Sequence, residues 1–166
     1  MFKVSKTELP NSSVSKQFIG EVNYVDAYKV ELSDSNQTIE QIYLAIFNHT
    51  PKWVNFLMSL RNKIVGLFGL DTGNGETLKE VKSIAVGDTQ GMFKIFEIQP
   101  NEVIVGADDK HLDFRASVLK ENKMLFMSTL VHYNSTFGKL YFFIVKPFHK
   151  VIVKAMLKNA IKNKRI

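Results

Sequence analysis

The chain is 166 residues long, 45% hydrophobic and 23% charged, with no cysteine and a formal net charge of +6. That length and apolar content suit one domain with a real core and exclude disorder, while the missing cysteines exclude disulfides, thiolate catalysis, Cys-ligated zinc and iron–sulfur clusters. The charge is unevenly placed: 14 basic and 16 acidic residues precede Thr136, and 8 basic and no acidic residues follow it.

Residues 1–20 are polar and irregular and are expected to form a loose arm ahead of a single domain at 21–166. Lys3, Lys6, Glu8 and Pro10 stand where a secretory signal needs an apolar run, so a cytoplasmic chain is expected. From Asn23 to Leu32 apolar and polar residues alternate, the pattern of a strand. Thr38 followed by Gln41 has the spacing of a capping box and starts a short helix through Phe47. Thr50 as N-cap and Pro51 at the first helical position start a second helix, with Trp53, Leu57, Leu60, Ile64 and Leu67 sharing one face. That helix is expected to stop near Gly66–Gly69, and Asp71–Gly75 is a turn cluster.

After Gly91, four strands at Met92–Gln99, Glu102–Gly106, Leu112–Lys120 and Lys123–Tyr133 follow one another across short turns, as in an antiparallel meander. The uncharged stretch Met124–Gly138, 15 residues long, is well short of the roughly 20 apolar residues of a spanning helix. Beyond Gly138 a long amphipathic helix is expected, with Pro147 kinking it or opening its regular part. At 100° per residue, Tyr141, Ile144, Val145, Phe148, Val151, Ile152, Ala155, Met156 and Asn159 fall within about 140° of arc, the expected core face. Lys146, Lys150, Lys154, Lys158 and Lys162 recur every fourth residue along a drifting stripe. The predicted class is therefore α+β: a curved antiparallel sheet wrapped around a long C-terminal helix, with two short helices after the first strand.

Candidate sites follow from polar residues in apolar settings. Only Arg61, Arg115 and Arg165 are Arg among 22 basic residues; at an internal position such an Arg marks a geometry that needs a planar, forked donor. On the strand from Leu112, alternation sends His111, Asp113, Arg115 and Ser117 one way and Leu112, Phe114, Ala116 and Val118 the other. The polar set faces either water or a site in which Asp113 orients an imidazole and Arg115 holds an anion. His132, Tyr141 and Asn159 sit among apolar residues and need partners inside or on a ligand; His149 lies at the edge of the helix face.

The histidines at 49, 111, 132 and 149 lack zinc-ligand spacings, so no metal is expected. No cofactor is expected either. Gly73-Asn74-Gly75 lacks the third glycine and preceding strand of a dinucleotide turn, and neither a phosphate loop nor a nucleophile elbow occurs. A nucleic-acid partner is not expected, because the basic helix spends its apolar face on the core and lacks an Arg-rich or aromatic reading surface. Peripheral contact with an anionic membrane through Lys146, Lys150, Lys154, Lys158 and Lys162 is a further expectation.

The strings Pro51-x-Trp53, Leu60-Arg61-Asn62 with Phe68-Gly69-Leu70, Asp109-Lys110-His111-Leu112-Asp113-Phe114-Arg115, Asn134 with Gly138 and Tyr141, and Pro147-Phe148-His149 resemble the bacterial family known as domain of unknown function 2867, over about residues 24 to 160. The resemblance implies the START-like (SRPBCC) helix-grip superfamily, whose members bind apolar small molecules or, in some branches, cyclise or hydrolyse them. Some family members are fused behind a nicotinamide-binding domain that this chain lacks. The resemblance singles out Arg61, His111, Asp113, Arg115, Tyr141 and His149. The leading expectation is a protein that binds an apolar or amphipathic small molecule between sheet and C-terminal helix, with Arg61, Arg115, His132, Tyr141 and Asn159 as ligand contacts. The alternatives are a hydrolase or cyclase using His111 or His149 with Asp113 as acid–base pair, and an adaptor for anionic surfaces.

Overall fold

The computed structural model describes residues 3–67 and 80–166; the expected turn at Asp71–Gly75 and the Phe68-Gly69-Leu70 string lie outside them. Seven strands form one antiparallel sheet in the order β1-β2-β7-β6-β5-β4-β3. They are β1 (Ser5–Thr7), β2 (Tyr24–Glu31), β3 (Thr89–Gln90), β4 (Phe93–Ile98), β5 (Glu102–Asp108), β6 (Leu112–Glu121) and β7 (Met124–Tyr133), and the helices are α1 (Ile39–Phe47), α2 (Lys52–Gly66) and α3 (Thr136–Lys162). This is the expected α+β architecture, consistent with a helix-grip arrangement. The two short strands β1 and β3 carry too few residues for a period-2 pattern to reveal them.

Local chemistry explains the helix ends. Thr38 and Gln41 close the capping box in both directions, at 3.2 and 2.9 Å. The Thr50 hydroxyl, expected to cap α2, instead donates back to the Phe47 carbonyl at 3.1 Å, and the Pro51 carbonyl receives the amides of Val54 and Asn55. Helix α3 begins at Ser135, whose side chain accepts the Gly138 amide, and runs unbroken past Pro147. Gly138 is required there: a Cβ would collide with the His111 carbonyl, so the first turn of α3 lies directly on the β5–β6 loop.

One sheet face carries the core. Tyr28, Val30, Val103, Val105, Ala116, Val118, Leu125 and Met127 pack against Ile42, Tyr43, Ile46 and Phe47 of α1 and against Val153, Met156, Leu157, Ala160 and Ile161 of α3. The last residues join them: Ile166 is buried, and the carbonyl of Arg165 accepts from Gln37 Nε2 at 2.8 Å.

The segment expected as a loose arm is held to the sheet, and residues 13–18 of it lie on the face opposite the core. β1 pairs with β2, and a 3-10 turn at Ser15–Phe18 packs on β6. The Glu102 carboxylate, fully buried, accepts from Ser13 Oγ at 2.6 Å, from the Val14 amide at 2.9 Å and from the Ser117 hydroxyl. This cover is why both faces of β7 are apolar, since Leu130 and Ser128 are buried on the arm side just as Leu125 and Met127 are on the core side.

Helix α3 is turned differently from the expected phase. Its buried residues are Phe142, Val153, Met156, Leu157, Ala160 and Ile161, whereas Ile144, Phe148 and Val151 of the expected core arc are exposed. The apolar face of α2 is likewise outward: Trp53, Leu60, Ile64 and Leu67 are exposed and Val54 is its fully buried residue.

Candidate functional site

On the predicted polar face of β6, Arg115 and Ser117 are buried under the N-terminal segment, while His111 and Asp113 are partly exposed. Arg115 is 5% exposed: its Nε donates to the Phe18 carbonyl at 2.6 Å, and its Nη1 donates to the Phe114 carbonyl at 2.8 Å and pairs with Asp108 at 2.7 Å. The guanidinium lies 3.6 Å from the centre of the Phe96 ring. Gly106, its register partner on β5, leaves the room it crosses, since a Cβ there would meet the Phe114 carbonyl and Arg115 Cδ. Arg115 thus fastens the N-terminal segment to the sheet, a role that uses the planar fork the sequence signalled.

Asp113 and His111 take separate partners. Asp113 Oδ1 accepts from Asn134 Nδ2 at 2.9 Å and from the Asp109 amide at 3.2 Å. His111 Nδ1 lies 2.9 Å from Ser135 Oγ, with its ring against Phe137. Both tie the β5–β6 loop to the start of α3, and the expected acid–base pair between them is not formed. His132 belongs to the arm side of β7, opposite Asp113 in the register, and its Nδ1 is buried with no hydrogen-bond partner among the described residues.

His149 does find a carboxylate, that of Asp26 on β2. Its Nε2 is 3.4 Å from both Asp26 oxygens, and Tyr24 donates its hydroxyl to the same carboxylate at 2.7 Å. Burial by itself would raise the Asp26 pKa, but hydrogen bonding and charge from His149, the Tyr24 hydroxyl and the Lys150 charge outweigh it and hold it below the usual carboxylate range. The Tyr24 phenol is pushed up, first by burial and then by its bond to Asp26. Phe142 packs against Tyr24 and His149, and Lys146 lies over the Tyr24 ring, so the front half of α3 is pinned to β2. The sequence offered one signal for this pair, an Asp in the centre of the apolar set Tyr24, Asp26, Tyr28, Val30. A carboxylate so placed has to be partnered.

Of the remaining three candidates, Arg61 and Tyr141 meet, while Asn159 lies about 27 Å further along α3 and takes a different partner. Arg61 Nε donates to Tyr141 Oη at 2.7 Å, and its Nη1 to Asn62 Oδ1 at 2.9 Å. Asn159 Nδ2 donates to the His49 carbonyl at 2.5 Å. Rising numbers before and along α2 therefore meet falling numbers on α3, so the two helices run antiparallel, joined by these polar links. On the solvent side of the pair α2 exposes Trp53, Phe56, Leu60 and Ile64, and α3 exposes Leu140, Phe143, Ile144, Phe148 and Val151. Exposed apolar side chains gathered in this way are the kind of surface that marks an interaction site. Two depressions lie elsewhere: one of about 410 Å³ lined by residues including Val81, Ile84, Asp88 and Gln90, and one of about 480 Å³ between Thr7–Ser12 and Phe126. Neither includes a residue of α3. Among the described residues no group of three metal-ligating side chains occurs, and no helix is long and apolar enough to cross a membrane.

A family described as "Protein of unknown function (DUF2867)" matches residues 18–156. No curated protein and no solved structure matches the chain.

Proposed function

The chain belongs to the DUF2867 family of proteins of unknown function, which brings no assigned activity, and we propose from the geometry that it binds an apolar or amphipathic small molecule along the open side of the α2–α3 pair. The observation that carries this reading is the Arg61–Tyr141 hydrogen bond set beside exposed apolar side chains of both helices. A few convergent polar groups at an apolar surface are what such a ligand needs for orientation and for burial. The space under the rear half of α3 is occupied by Tyr28, Tyr43 and Phe47, which moves the proposed ligand from the interior between sheet and helix to this helix pair. START-like ancestry, implied by the resemblance of the sequence, is part of the same proposal.

Native mass spectrometry of the purified protein, followed by solvent extraction, tests it. A bound mass that disappears on extraction, and that Ile144→Asp or Arg61→Met prevents, is the expected result. A bare protein that also fails to take up a fluorescent fatty acid in the absence of vesicles overturns the reading.

A second reading keeps acid–base chemistry but moves it to His149 with Asp26, a pair within contact of each other at 3.4 Å. It predicts slow hydrolysis of activated p-nitrophenyl esters that His149→Gln abolishes. Equal rates for the two proteins remove it.

A further inference from the structure

We infer that the outward crest of α2 and α3 docks on an anionic lipid bilayer, lying in the headgroup layer rather than crossing it. The two helices hold nine basic and no acidic residues, while all 16 acidic residues lie elsewhere in the chain. Their most exposed apolar side chains include Phe143 at 75% and Phe56 at 67%. On α3 these features share one face: at 100° per residue, Leu140, Phe143 and Val151 and, beyond them, Lys154 and Lys158 fall within about 80° of arc. The face is therefore apolar first and cationic beyond. Lys146 lies over the Tyr24 ring at 4.8 Å and Lys154 over the Tyr28 ring at 5.3 Å; of the two, Lys154 is the exposed one and Lys146 belongs to the inner edge.

A bilayer matches this chemistry better than a folded partner does. Eight of the nine cations are Lys, and the one Arg is engaged by Tyr141. Flexible ammonium groups suit diffuse headgroup charge, whereas paired carboxylates on a protein surface favour the forked guanidinium. The apolar residues then enter the acyl boundary while the Lys stems reach back to the phosphates. The inference shares the exposed apolar side chains of both helices with the small-molecule reading but does not rest on it, since that reading is tested on the purified protein without vesicles.

The chain's one tryptophan, Trp53, lies half-exposed on α2 and serves as the probe. The full chain is mixed with vesicles of phosphatidylcholine, or of phosphatidylcholine with about 30% phosphatidylserine. The expected result is a blue shift of Trp53 emission and co-sedimentation with the anionic vesicles alone, both reversed by about 0.5 M salt. Lys154→Glu with Lys158→Glu lowers the affinity at least about tenfold, and Phe56→Ser with Phe143→Ser does the same. These positions are on the surface, and circular dichroism verifies that the variants fold. The inference is overturned by no response to anionic vesicles at low salt, by an equal response to neutral ones, or by folded variants that bind as well as the parent.

Discussion

Asp26 and His149, 123 residues apart, meet at 3.4 Å where β2 passes under the front half of α3, with the Tyr24 hydroxyl closing on the same carboxylate. Because the Asp26 pKa is held below its ordinary value of 3.8, the unfolded chain takes up this proton before the folded one does. The contribution is complete above the unfolded value and disappears as pH falls through the lower folded value. Asp26→Asn is expected to cost about 1 to 3 kcal/mol at neutral pH. It is also expected to flatten the acid limb, so that urea midpoints measured from about pH 6 to about pH 3 fall less steeply than in the parent. Equal slopes would show that the carboxylate is not linked to folding.

Gly138→Ala tests the seat of α3. Within a helix Ala ordinarily gains about 1 kcal/mol over Gly. Here the added Cβ meets the His111 carbonyl, so the expected sign is opposite, a loss of about 1 to 3 kcal/mol in chemical denaturation. A stabilised variant would mean that the helix start does not rest on that loop.

The link between α2 and α3 is open to a double-mutant cycle. Arg61→Met and Tyr141→Phe are each expected to lower stability, with a coupling energy of about 1 kcal/mol from the 2.7 Å bond they share. Arg61→Lys is expected to resemble Arg61→Met, since an ammonium does not reproduce the Nε geometry. Strict additivity of the two changes would argue that the bond is not made in solution.

On the other face, Arg115→Lys and Glu102→Gln are expected to free the N-terminal segment. Arg115 holds the Phe18 carbonyl, and Glu102 holds Ser13 and Val14. Limited trypsin digestion followed by mass spectrometry reads the effect as faster cleavage after Lys16, at least about fivefold for a loss of about 1 kcal/mol in local closing. Unchanged cleavage rates would place the hold on the segment elsewhere.

The sequence by itself determined the order of the longer elements, the antiparallel meander, the Thr38–Gln41 capping box and the concentration of positive charge in the last helix. Each of these rests on neighbours within one turn or one strand, where periodicity and capping chemistry act locally. It also marked Arg61, Arg115, Tyr141 and Asn159 as residues needing partners. Tertiary structure decided which partners they have, and that α3 buries Phe142 and Leu157 while turning Ile144, Phe148 and Val151 outward. Apolar residues occur almost all round that helix, so its period gives a helix but no unique phase; the phase is chosen by the side chains of the sheet it meets. The same holds for β6: alternation separated Arg115 and Ser117 from Phe114 and Ala116. That the polar set would be covered by residues nearly a hundred positions earlier follows only from the N-terminal segment crossing the outer face of the sheet.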